Sequence, residues 1–142
     1  VRVALESLAV NLAAERITKE ELRDLEKLER ELELSARNLD IDQFVRANIR
    51  FHLAMYRASH SETIIEMVQN LYLRFVPTLY TACDNLKRVE GYAEAFVVNH
   101  HRDILDALAA HDSKRASHAL ERDLYEAVPL YDLPSQAGHI GQ

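Results

Sequence analysis

Ile41-Asp-Gln-Phe-Val45-Arg-Ala-Asn48-Ile-Arg-Phe-His52-Leu-Ala-Met55 is the stretch on which the reading of this chain turns. Ile41, Val45, Asn48, His52 and Met55 recur at the spacing that places side chains on one stripe of an α-helix. Three of the five are apolar, so the stripe faces a core. Asn48 and His52 lie in the middle of it, one turn apart. Burying an amide or an imidazole without a partner costs roughly 1–3 kcal/mol. Other inward polar groups must therefore meet these two.

Upstream, Asp40 with Gln43 can cap this helix, and Asn38-Leu39-Asp40 is a turn. Thr18-Lys-Glu-Glu21 is a capping box that starts a second helix running to about Arg37. Leu22, Leu25, Leu28 and Leu32 form its narrow apolar stripe, and its interleaved Glu, Lys and Arg read as a solvated face. A first helix spans about Val1 to Glu15, with Val1, Leu5, Leu8, Ala9 and Leu12 expected inward. Arg2 lies on the edge of that face. Two readings stand for it: a pair with Glu6 one turn on, or an anion contact at a pocket mouth.

Downstream, the helix of the opening stretch ends near Ala58, and Ser59-His60-Ser61 is a break with Ser61 as N-cap. A fourth helix is expected from Glu62 to about Leu79, with Ile64, Ile65, Val68, Leu71, Tyr72, Phe75 and Leu79 as a broad apolar face. Pro77 should kink its last turns, and Arg74 falls on the surface side. Residues 82–90 read as a connection. Gly91 precedes a fifth helix, about Tyr92 to Ala110, whose stripe is Ala93, Val97, His101, Ile104 and Leu108. His101 falls near the centre of that stripe and His100 on its flank; phase leaves open which of the two points inward. Asp112 caps a sixth helix to about Val128. There Ala116, Ala119, Leu120, Leu124 and Ala127 face inward with Asp123 between them, while His118 and Tyr125 project outward. Pro129 and Pro134 end the helical part.

The pattern is that of an all-α, antiparallel bundle of about six to seven helices. Residues 1–128 form one domain and 129–142 a loosely ordered tail. Composition agrees: 48% hydrophobic and 28% charged residues, with only three glycines and three prolines in 142 residues. The net charge of −6 repels a phosphate backbone, so the chain by itself is a poor nucleic-acid binder. A single cysteine, Cys83, excludes an internal disulfide and fits a reducing, cytoplasmic setting. No apolar run approaches the roughly 18 residues that span a bilayer. The chain starts at Val1 already in helical register, which leads us to expect a fragment of a longer protein.

Helical phase thus yields four inward polar residues on three helices: Asn48, His52, His101 and Asp123. Two imidazoles, a carboxylate and an amide oxygen are a ligand set for a divalent transition metal. The competing reading is that the four hydrogen-bond one another or water. A metal with open positions could also activate water. Against an enzyme, there is no Glu placed like the base of HExxH, no Gly-rich phosphate loop and no nucleophile elbow.

Four stretches resemble the FadR-type C-terminal domain (FCD) of GntR-family transcription regulators. They are Arg2-Val-Ala-Leu5-Glu6 with the alanine-rich helix after it, Ile17-Thr-Lys-Glu-Glu-Leu22, Asn48-Ile-Arg-Phe51-His52, and His101-Arg-Asp-Ile104-Leu105-Asp-Ala107 followed by Asp112 and Ala116. The resemblance implies a divalent ion, Zn, Ni or Mn, held at the positions of Asn48, His52, His101 and Asp123. Asn48 stands where the family has Asp, and Asp123 where it has its last His, so one carboxylate is lost and one gained. It further implies a carboxylate-bearing effector in the bundle cavity, met by Arg2, Asn48, His52 and His101. It implies a homodimer formed through this domain, and DNA contacts made only by an N-terminal winged-helix domain absent from this chain. Some members take an organic ligand without metal, so a metal-free ligand-binding or dimerisation module is the alternative. A metal-dependent enzyme is the remoter one.

Overall fold

Side-chain caps set the starts of three helices as the sequence leads one to expect. In the computed structural model, which describes residues 1–86 and 100–126, Thr18 accepts from the Glu21 amide while the Glu21 carboxylate accepts from the Thr18 amide. Asp40 accepts from the Gln43 amide at 3.1 Å, and Asp112 from the Arg115 amide at 3.0 Å. Six helices follow among the described residues: α1 Arg2–Arg16, α2 Lys19–Arg37, α3 Ile41–Arg57, α4 Glu62–Leu86, α5 His100–Ala109 and α6 Ser113–Glu126. No strand occurs among those residues. Gly91, Tyr92, Ala93 and Val97, expected in and before the fifth helix, lie outside the described residues, as do Ala127, Val128, Pro129 and Pro134.

The connections are short. Leu39, His60 and His111 each turn the chain just past a helix end with φ between 52 and 54°. This left-handed conformation closes helix C-termini and is more usually given to Gly. Amide bonds from Asp40 to the Ser35 carbonyl and from Asp112 to the Ala107 carbonyl cap two of these ends. The tight turns fold α2 against α3 and α5 against α6, and α1 packs on α6, α4 and α3.

One core runs through the bundle, built on Ala9, Val10, Ala13, Phe51, Met55, Val68, Ile104, Leu108, Ala116 and Leu120. Small residues face each other on α1 and α6, and interaxial distance follows side-chain size at the contact, so these two helices can approach closely. This sets the rotation of α1. Its buried residues are Glu6, Ala9, Val10, Ala13 and Ala14. Val1 and Leu8, expected inward, are 99% and 48% exposed.

Two further expectations are corrected. The α4 helix does not end at Leu79: it runs through Pro77 to Leu86, so residues 82–86 are helix rather than connection. Leu79, Ala82 and Cys83 beyond the proline are buried, Leu79 and Cys83 packing with Val45. Burying a large apolar side chain is worth about 1.5–3 kcal/mol, which offsets the roughly 3 kcal/mol a helical proline costs. The charged face of α2 is not wholly solvated either, since Glu29 is 3% exposed. Arg74, His118 and Tyr125 are exposed, as expected.

Candidate metal centre

Phe51 and His52 enter the core from α3, His101 from α5 and Asp123 from α6. His52 and His101 are 2% and 6% exposed. Their Nε2 atoms lie 3.2 Å apart. Asp123 closes the group, Oδ2 standing 3.4 Å from His52 Nε2 and Oδ1 3.7 Å from His101 Nε2. Four ligands at about 2.0–2.1 Å from a tetrahedral Zn ion stand roughly 3.3 Å apart, which is close to the spacing of these three donors. All three ligand atoms fit within 4.8 Å of one another. The donor set and its spacing therefore suit a divalent transition metal.

Each ring is held from behind. His101 Nδ1 is 2.9 Å from Glu29 Oε2 on α2, and its ring stacks on Phe51 with centroids 4.3 Å apart. His52 Nδ1 is 3.2 Å from the Tyr56 hydroxyl, and its ring lies against Tyr72 of α4 at 5.4 Å. Tyr56 donates in turn to Glu6 Oε2 on α1. Burial, and then the Glu6 carboxylate, push the Tyr56 phenol well above its ordinary range, so the hydroxyl keeps its proton. A hydroxyl that donates to Glu6 can only accept from His52, which places a proton on His52 Nδ1. The Glu29 carboxylate likewise accepts a hydrogen bond from His101 Nδ1–H. Both Nε2 atoms are thus turned to the centre.

The charges reinforce one another. Burial alone would lower an imidazole, but the Asp123 and Glu29 carboxylates outweigh it and push His101 up to about 10. Burial would raise Asp123, yet His101 and then His52 hold it well below the usual carboxylate range. His101 is therefore an imidazolium at neutral pH.

Asn48, one turn before His52, is buried and donates from Nδ2 to the Tyr72 hydroxyl at 3.2 Å. That leaves its amide oxygen as the group it can offer to a cation. Arg2 is drawn onto Glu6, its partner one turn on. Its guanidinium lies 3.7 Å over the Phe75 ring and 5.4 Å from that of Tyr72. His100 is also buried, but it is His101 that meets His52. So His52, His101 and Asp123 are brought together, Asn48 stands beside them through Tyr72, and Arg2 is joined to them through Glu6 and Tyr56. Every one of the six helices contributes a side chain.

Helical phase did not identify Glu6, Glu29, Tyr56 and Tyr72 as site residues. A signal exists for the two acids: Glu6-Val10-Ala13-Ile17 and Leu25-Glu29-Leu32-Ala36 are inward stripes at helical spacing.

The sequence model of the FCD domain family matches residues 1–126. A relative, the HTH-type transcriptional regulator McbR of Escherichia coli (strain K12), is 28% identical over 130 residues, 92% of this chain and 58% of McbR. The solved structure of E. coli McbR/YncC superposes with a TM-score of 0.80 at 28% identity, covering 92% of this chain and 60% of that one. The chain therefore spans about three fifths of the length of the relative it matches.

Proposed function

This chain belongs to the FCD domain family, and from that premise we propose that it is the effector-sensing domain of a GntR-like transcription regulator. It binds a small carboxylate metabolite in the bundle, beside a divalent ion. The observation that carries the reading is the convergence of His52 Nε2, His101 Nε2 and the Asp123 carboxylate, each ring held from behind by a buried partner.

His52, His101 and Asp123 would hold the ion, with the Asn48 amide oxygen as a fourth donor. Zn fits the spacing, and Ni or Mn are the other candidates. When bound, the ion supplies positive charge that attracts an effector carboxylate. Arg2, whose Nε is taken by Glu6, offers its remaining guanidinium nitrogens to the same anion. The role is binding, not turnover: Glu6 and Glu29, the two buried glutamates among the described residues, are both committed to ring partners. An effector biases the domain only by its differential affinity for two helix packings. In a homodimer that bias would reposition winged-helix domains, which meet operator DNA outside this chain.

A second reading is favoured by one observation. An imidazolium at His101 beside Asp123 satisfies the site with no ion, and the domain would then take an organic ligand alone.

Metal analysis and Zn titration of the purified protein decide between them. The metal reading predicts one tightly held ion per chain, lost in His52→Ala. Wild-type protein that neither retains nor takes up Zn, Ni or Mn sinks it. A screen of organic acids by thermal shift then tests the effector role, and a flat screen on a stable dimer would leave a dimerisation module.

A further inference from the structure

Two hydrogen-bond chains run outward from the centre to buried carboxylates. One is His52–Tyr56–Glu6–Arg2 and the other His101–Glu29. We infer that Tyr56 with Glu6, and Glu29, are positioning residues that fix the Nδ1 protons of His52 and His101 so that both rings present Nε2 to the site shared with Asp123.

The argument is one of polarity. Imidazole can carry its single proton on either nitrogen, and the partner of one nitrogen decides the role of the other. At His101 the partner is a carboxylate, which only accepts. At His52 the partner is a hydroxyl, which could do either. Its direction is set one residue further out: Glu6 accepts from Tyr56, and Arg2 occupies the other Glu6 oxygen. Glu6 is 0% exposed, so water cannot substitute for it. The outer carboxylates also raise the basicity of the imidazoles they hold, which matters in a site where an amide, Asn48, stands at one donor position.

Glu6→Gln is the discriminating variant, because it is nearly isosteric and leaves the helix packing in place. Arg2 keeps the amide oxygen, so the amide NH₂ faces Tyr56. The phenol then accepts from it and donates to His52 Nδ1, moving the ring proton to Nε2.

Long-range proton–nitrogen NMR spectra of the imidazole rings, recorded on metal-free protein at a pH of about 8, where an ordinary imidazole is neutral, read this directly. Wild-type His52 is expected as the Nδ1–H tautomer and the Glu6→Gln variant as Nε2–H. In Zn titrations against a chromophoric chelator, Tyr56→Phe and Glu29→Leu should lose about 10–100-fold in affinity. Glu29→Gln, which keeps an accepting oxygen, should lose less. The inference is overturned if wild-type His52 carries its proton on Nε2, or if Tyr56→Phe and Glu29→Leu bind Zn as tightly as wild type. Only the Zn arm rests on the metal reading. Protein that takes up no Zn but shows the tautomer switch removes that reading and keeps this one; protein that binds Zn through an Nε2–H His52 population in the free state does the reverse.

Discussion

His101 Nδ1 lies 2.9 Å from Glu29 Oε2, although the two residues are 72 positions apart, and their side chains are only 7% and 4% exposed. An ion pair so placed cannot be replaced by water when one partner is removed. Breaking a buried pair typically costs about 3–5 kcal/mol, much of it the penalty on the partner left behind. Glu29→Ala should therefore lower the urea-unfolding free energy of the metal-free protein by about 3 kcal/mol. Glu33 on the same helix pairs with Arg102 at 3.4 Å, with both side chains more than a third exposed. Glu33→Ala should cost well under about 1 kcal/mol. Equal losses in the two variants would mean that the buried pair is not special.

Asn48→Asp restores a second carboxylate to the centre. A dication gains from it, so Zn affinity should rise by about tenfold or more, equivalent to about 1.4 kcal/mol. Without metal the new charge is buried against the Tyr72 hydroxyl with no added cation, and the variant should melt below wild type. The opposite signs in the presence and absence of Zn are the signature. A variant with unchanged Zn affinity would show that position 48 is not a ligand.

Cys83 packs with Val45 and Leu79, and burial pushes its thiol up to about 12. An ordinary thiol has a pKa of about 8.5. The folded state therefore retains a proton that the unfolded chain releases, so stability falls as pH rises above about 8.5 toward 12. Urea midpoints measured from pH 8 to 10 should decline in wild type and decline less in Cys83→Ala. Alkylation of the native thiol at pH 8 should be slow beside a free cysteine and limited by opening of α4.

The α2 capping box is exposed and local. Thr18→Ala should cost about 1 kcal/mol by thermal or urea unfolding. Burial raises the Glu21 carboxyl, but the Thr18 amide and then His60 outweigh it and hold it below its ordinary value. The Glu21 contribution is therefore present above the ordinary carboxylate range and is lost as pH falls through it. The Glu21→Gln and wild-type curves should converge on acidification, while the Thr18→Ala loss, which removes a hydroxyl bond to a backbone amide, should change little.

The inward polar set was legible because each member sits on a helix whose apolar residues reveal its phase. Asn48 and His52 lie between Val45 and Met55, and Asp123 between Leu120 and Leu124. The inward face of α1 was legible only in part: Ala9 and Leu5 were expected inward and pack in the core, while Leu8 is exposed. Leu5, Leu8 and Leu12 outweigh alanines in any hydrophobic pattern, yet the alanines win the interface because α6 meets them with Ala116 and Ala119. Close approach rewards small side chains, and no single-helix pattern contains the partner's surface. Glu29 shares an inward stripe with Leu25, Leu32 and Ala36, but only the packing of α5 shows that His101 is its partner.

By itself the sequence determined the all-α bundle, the capped starts of α2, α3 and α6, the FCD family, and the inward phase of Asn48, His52 and Asp123. These follow from local periodicity and from backbone hydrogen-bonding needs, which act within a few residues. Tertiary structure alone decided how far α4 runs past Pro77 and that Glu6, Tyr56 and Glu29 stand behind the two histidines. Those outcomes depend on burial and on partners brought from distant helices. The direction of each ring proton depends on them too, because a tautomer is set by its neighbours in space and not by its neighbours in the chain.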